Sequence, residues 1–105
     1  MSYQITAKMS VSAGHSLDAF THLGFSVHFF DRLLAEYVDD VDEASRSAME
    51  RENAQLLREH GNSPDNLRYV IELYRSYDNF GAALLDIRTV QKNVHTLSFQ
   101  LSSVD

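Results

Sequence analysis

The chain is 105 residues long, with 44% hydrophobic residues, 23% charged residues and a formal net charge of −6. That length supports one domain with a single modest core, and this balance of apolar to charged residues excludes an intrinsically disordered chain. The absence of cysteine excludes disulfides and thiolate metal sites, and 9 Lys and Arg against 15 Asp and Glu argue against a phosphate-gripping surface.

The two lysines are Lys8 and Lys92, and the arginines are scattered, most with a carboxylate within four residues, as Arg46 has Glu50 and Arg75 has Glu72. No nucleic-acid partner is therefore expected. The charge-free run between Asp18 and Asp31, as long as any in the chain, is interrupted by His22, Gly24, Ser26 and His28, too short and too polar to span a bilayer. Residues Met1 to Ile5 show no basic region followed by an apolar block, so no secretory signal and no membrane partner are expected, and the expected location is cytoplasmic.

Along the chain, residues 3–11 alternate strictly, Tyr3, Ile5, Ala7, Met9 and Val11 against Gln4, Thr6, Lys8 and Ser10. This is the period of a strand with one buried face, lying within an extended N-terminal segment, residues 1–14. A lone strand needs a partner. The candidate within the chain is the tail, where Leu97, Phe99 and Leu101 alternate with Thr96, Ser98, Gln100 and Ser102. Leu97 and Leu101 also extend a helical pattern, so residues 96–103 fit both a helix and a strand.

Ser16 is a reasonable N-cap with Asp18 in the first turn. From there apolar residues recur at alternating spacings of three and four: Phe20, Leu23, Val27, Phe30, Leu34, Tyr37, Val41. The spacing predicts a helix over 16–41, with a kink or break at Gly24. Asp42 then caps a second helix over 43–60, ended by Gly61. Ser63-Pro64-Asp65 supplies a cap, a first-turn proline and an acid, the start signal for a third helix over 64–95 or beyond. Its ladder runs Tyr69, Leu73, Ser76, Phe80, Ala83, Ile87, Val90, Val94, Leu97, Leu101, with a weak point at Asp78-Asn79-Phe80-Gly81.

These elements predict a mainly α fold, a three-helix antiparallel bundle with an extended N-terminal segment, forming one helical domain over 1–105. An unbroken third helix to Leu101 would be roughly 55 Å long at 1.5 Å per residue. A domain of this size is about 30 Å across. A second copy covering the overhang makes a homodimer or higher oligomer the expected state.

Candidate binding residues fall into two groups. Glu36, Asp39, Asp40, Asp42 and Glu43 place five carboxylates in eight residues. A calcium loop would need a central glycine and a closing bidentate Glu, which this run lacks, so it reads as a solvated helix end or as an anionic patch for a basic partner. Tyr69, Tyr74 and Tyr77 form the second group, because tyrosine buries a large ring while keeping a polar tip and is enriched at interfaces. His15, Asp18 and His22 have a metal-like spacing, but no Glu-x-x-His pair completes a bundle site, and no metal or cofactor is expected.

Catalysis has little support in this sequence. There is no cysteine nucleophile, no nucleophile elbow and no glycine-rich phosphate loop, since Gly14, Gly24, Gly61 and Gly81 are all isolated. The expectation is a non-enzymatic protein–protein interaction module, such as a small acidic inhibitor, immunity or adaptor protein that binds a basic partner surface. The alternatives are a metal- or ligand-binding helical bundle and a purely structural homo-oligomer.

Overall fold

The computed structural model describes residues 2–12, 17–93 and 96–104. Its elements are β1 (Ser2–Ser10), α1 (Leu17–His22), β2 (Ser26–Asp31), β3 (Glu36–Val38), α2 (Glu43–His60), β4 (Tyr69–Tyr77), α3 (Phe80–Asn93) and β5 (Thr96–Val104). Five antiparallel strands form one sheet in the order β3-β2-β4-β1-β5. The chain is therefore an α/β sheet protein and not a three-helix bundle.

Strands β1 and β2 run parallel to each other with β4 between them, and β4 and β5 run parallel with β1 between them. Two interleaved split β-α-β units of this kind, closed by α1 and α3, give the β-α-β-β-α-β arrangement of the ferredoxin-like fold. The short strand β3 and the helix α2 are inserted between its second and third core strands.

The predicted helix over 16–41 is replaced by α1, a turn and the β2–β3 hairpin. The segment Phe25-Ser26-Val27-His28-Phe29-Phe30 is dense in aromatic and β-branched side chains, which suit a pleated, half-buried surface. A spacing of three, which keeps a helix face, reverses the face of a strand, so Val27 and Phe30 lie on opposite sides of the sheet. Gly24, at φ +87°, turns the chain between α1 and β2, and its Cα lies close under the Arg75 guanidinium. The proposed cap Ser16 lies outside the described residues.

The predicted third helix is likewise replaced. Ser63 does cap Pro64, its Oγ accepting from the Asp65 N–H, but the result is a single 3-10 turn over Pro64–Asn66. Tyr69-Val70-Ile71-Glu72-Leu73-Tyr74 then continues as β4, and a new helix, α3, begins at the weak point near Phe80. Val94 lies outside the described residues. The tail over 96–104 is a strand, in antiparallel register with β1 that pairs Leu101 with Ile5 and Phe99 with Ala7 along the backbone.

Helix α2 occupies the bounds expected from its caps, with the Asp42 carboxylate accepting from the Ser45 N–H at 2.7 Å and Gly61 at φ +107° ending it. All three helices pack on one side of the sheet. There Ile5, Ala7 and Met9 of β1 and Ile71 and Leu73 of β4 meet Phe20 of α1, Met49 of α2 and Ala83 and Ile87 of α3. The opposite side carries Gln4, Thr6, Lys8, His28, Phe30, Val70, Glu72 and Tyr74, and no described helix covers it.

Candidate functional site

The β2–β3 hairpin builds the most exposed apolar surface of the described chain. Asp31 ends β2 and is 4% exposed; its Oδ1 accepts from the Leu33 and Leu34 N–H groups at 3.0 and 3.3 Å, which shapes the turn. Ala35 completes the reversal at φ +53°. The turn leaves Leu33 71% and Leu34 58% exposed, and β3 leaves Tyr37 52% exposed. The Tyr37 ring sits edge-on to Phe30, centroids 5.0 Å apart.

The acidic residues follow directly. Glu36 is on β3, Asp39 and Asp40 lie in the connection to α2, Asp42 caps that helix and Glu43 begins it. Asp40 adopts φ +54°, a backbone conformation that Asp tolerates better than most residues. The Ser45 N–H holds the Asp42 carboxyl below its ordinary pKa. Among the described residues Glu36, Asp39, Asp40 and Glu43 form no ion pair. Five acids from one sequence run thus border the β3 margin, but Asp42 is occupied as a cap.

On the open side of the sheet, Glu72 lies in the central strand β4 and is 5% exposed. Its Oε2 accepts from the Tyr74 hydroxyl at 2.6 Å and the Tyr37 hydroxyl at 2.8 Å, and Lys8 Nζ lies 3.5 Å from Oε1. His28 rests against both tyrosine rings. Burial pushes the Glu72 carboxyl up, but the two hydroxyl donors and the Lys8 ammonium outweigh it, and its pKa lies below the ordinary value. The same bonds push the Tyr74 hydroxyl well above its ordinary value. Tyr37 is thereby tied into the sheet although half of it is exposed.

Tyr69, Tyr74 and Tyr77 do not form a common surface. Tyr74 is on the open side, whereas Tyr69 and Tyr77 face the helices. Tyr77 is buried and donates to Asp86 of α3 at 2.5 Å, where the Arg75 guanidinium also binds. Burial, then the Asp86 bond, pushes its hydroxyl well above the ordinary value. Tyr69 is half-buried under the Arg68 guanidinium, 4.9 Å from its ring centroid. Asp18 and His22 are exposed on α1, His15 lies outside the described residues, and no group of three His, Asp or Glu able to hold a metal occurs among the described residues.

A second polar centre escapes a reading of the sequence. Arg68 binds Asp31 with two nitrogens, at 3.0 and 2.9 Å, and Glu52 of α2 at 2.6 Å. These bonds hold the Asp31 carboxyl below its ordinary pKa. Asn53, 4% exposed, accepts from the Arg68 and Tyr69 N–H groups and donates to the Tyr69 carbonyl. This centre joins α2 to the sheet directly beneath the hairpin turn. A lone acid within the apolar run of β4 was the available signal for Glu72; nothing local marks Asn53.

Compared with protein families, characterised proteins and solved structures, the chain matches none. Among the described residues, no helix is long and apolar enough to cross a membrane.

Proposed function

We propose that the chain is a non-enzymatic protein-binding module that docks a basic partner on the β3 margin of its sheet. The observation that carries this reading is the hairpin itself: Leu33, Leu34 and Tyr37 are each more than half exposed and are bordered by Glu36, Asp39 and Asp40, which have no ion-pair partner among the described residues. An apolar and aromatic centre with a charged rim is the composition of a contact surface, and an acidic rim selects a basic partner and speeds its approach. The hairpin is also held in shape before any partner arrives, by Asp31 within the turn and by Tyr37 on Glu72.

The non-enzymatic part of the reading rests on how the polar groups are used. Glu72 is engaged by Tyr37, Tyr74 and Lys8, and the Tyr74 hydroxyl is driven away from ionisation, the opposite of an activated nucleophile. The cytoplasm is the compartment we assign to this role, the default for a chain without disulfides.

The test is site-specific photo-crosslinking in the cell of origin from position 33, at the tip of the hairpin, with the exposed position 22 on α1 as control. The expected outcome is an adduct with a protein other than this chain, from position 33 only. That purified protein should bind more slowly, and with less salt dependence, to the Glu36→Gln, Asp39→Asn, Asp40→Asn variant. No adduct from position 33, or an unchanged rate and salt response in the variant, refutes the proposal.

A further inference from the structure

The two edges of the sheet are built differently. One edge is β3, three residues long, bearing Glu36 and followed by Asp39 and Asp40. Short length and charge are standard protections against strand addition. The other edge is β5, nine residues long, Thr96-Leu97-Ser98-Phe99-Gln100-Leu101-Ser102-Ser103-Val104, with no charged residue and no proline. Among the described residues it pairs only with β1, so its outer row of backbone groups has no strand partner.

Helix α3 lies over β1 and β4 and turns an apolar flank toward the β5 side of the sheet. Ala83 and Ile87 face the sheet. Asp86 reaches β4, where it binds Arg75 and Tyr77. Leu84 is two residues away, about 200° round the helix, and so lies on the opposite flank. Phe80 shares that flank and stacks edge-on against Tyr3 of β1, centroids 5.4 Å apart. The flank therefore leans away from β4 toward β5, and it leaves Phe80 48% and Leu84 37% exposed.

We propose that β5 pairs with β5 of a second copy of this chain, antiparallel about a twofold axis normal to the sheet, to give a dimer with one continuous sheet and Phe80 and Leu84 meeting across the axis. The occupant is a second copy because the edge is self-complementary. Antiparallel pairing centred on Gln100 sets Phe99 against Leu101 and Ser98 against Ser102, and a strand without charge meets no like charge on its own copy. The axis places both α3 helices on the same side of a sheet with five strands from each copy, so backbone pairing and apolar burial form together. The β3 margins then lie at the two far ends, free of this contact. The dimer is independent of the proposed partner surface, and failure of either leaves the other standing.

Sedimentation velocity on the intact chain at about 50 μM reads the outcome, since a closed dimer is favoured by mass action. The expected mass is twice the 11.9 kDa of the chain. The Gln100→Lys, Leu84→Lys variant should return to the monomer mass with an unchanged far-ultraviolet circular dichroism spectrum. Leu85→Lys, on the outer face of α3, should remain dimeric. Independently of any variant, hydrogen exchange of the 96–104 amides should slow at least about tenfold between roughly 1 and 100 μM protein. A monomeric parent chain, a dimer that survives the double substitution, or exchange at 96–104 that ignores concentration would each overturn the proposal.

Discussion

Replacing Asn53 with alanine tests whether α2 is held to the sheet by a single side chain. Asn53 is 4% exposed and makes three bonds to the backbone at the start of β4: from the Arg68 N–H at 3.1 Å, from the Tyr69 N–H at 3.0 Å and to the Tyr69 carbonyl at 2.9 Å. Each such bond contributes about 1 kcal/mol net, and a buried partner left without one costs about 1–3 kcal/mol. Alanine returns about 0.5 kcal/mol through its better helix propensity. The expected loss is about 2–4 kcal/mol, a large share of the roughly 5–15 kcal/mol that stabilises a typical domain.

Urea unfolding followed by circular dichroism measures this loss. With an m-value of about 1.5 kcal/mol/M, the midpoint should fall by roughly 1.3–2.7 M. Asn53→Leu restores volume without restoring the bonds and should be no better than Asn53→Ala, because the orphaned groups belong to the backbone. If Asn53→Ala unfolds within about 0.3 M of the parent, or if leucine rescues it, then packing and not these bonds anchors α2.

Truncations separate this fold from a helical seam. Leu34→Ala should stay within about 0.5 kcal/mol of the parent, because Leu34 is 58% exposed, whereas Leu73→Ala, at a fully buried position of β4, should cost about 2–5 kcal/mol; thermal melts that reverse this ranking would refute the assigned sheet. Acid stability is the other expectation. Asp31 and Glu72 both have folded pKa values below their unfolded ones, so their contribution is complete above about pH 4.3 and is lost as pH falls through the folded values. Urea midpoints taken from pH 6 to pH 2 should therefore drop less steeply in the Asp31→Asn, Glu72→Gln variant than in the parent, and parallel curves would show that neither carboxylate is coupled to folding.

Some of this architecture is legible residue by residue. Asp42 and Gly61 delimit α2 because capping is settled within a few residues, where a carboxylate meets a free N–H and a glycine takes a positive φ. The alternation of residues 3–11 appears as β1 because a strand with one buried face writes its period directly into the sequence. The five acids are also plain as a charged run, and the structure shows where they lie, along the β3 margin and the start of α2.

What only tertiary structure decided begins where two periods overlap. Val27, Phe30, Leu34 and Tyr37 satisfy a helical spacing, yet their chain is a hairpin, because β4 offers β2 a ladder of backbone partners from Ser26↔Tyr74 to Asp31↔Tyr69. The same holds for β4 itself, which lies between two strands distant from it in sequence. Local propensity ranks helix against strand weakly, and pairing across that distance overrides it. Tyr69, Tyr74 and Tyr77 fall within the single helix expected over 64–95, whereas in the fold they lie on two sides of a sheet. Glu72 and Asn53 became central for the same reason: a polar side chain is worth burying only where partners converge on it, and Tyr37 and Lys8 reach Glu72 from other strands while the start of β4 reaches Asn53 on α2.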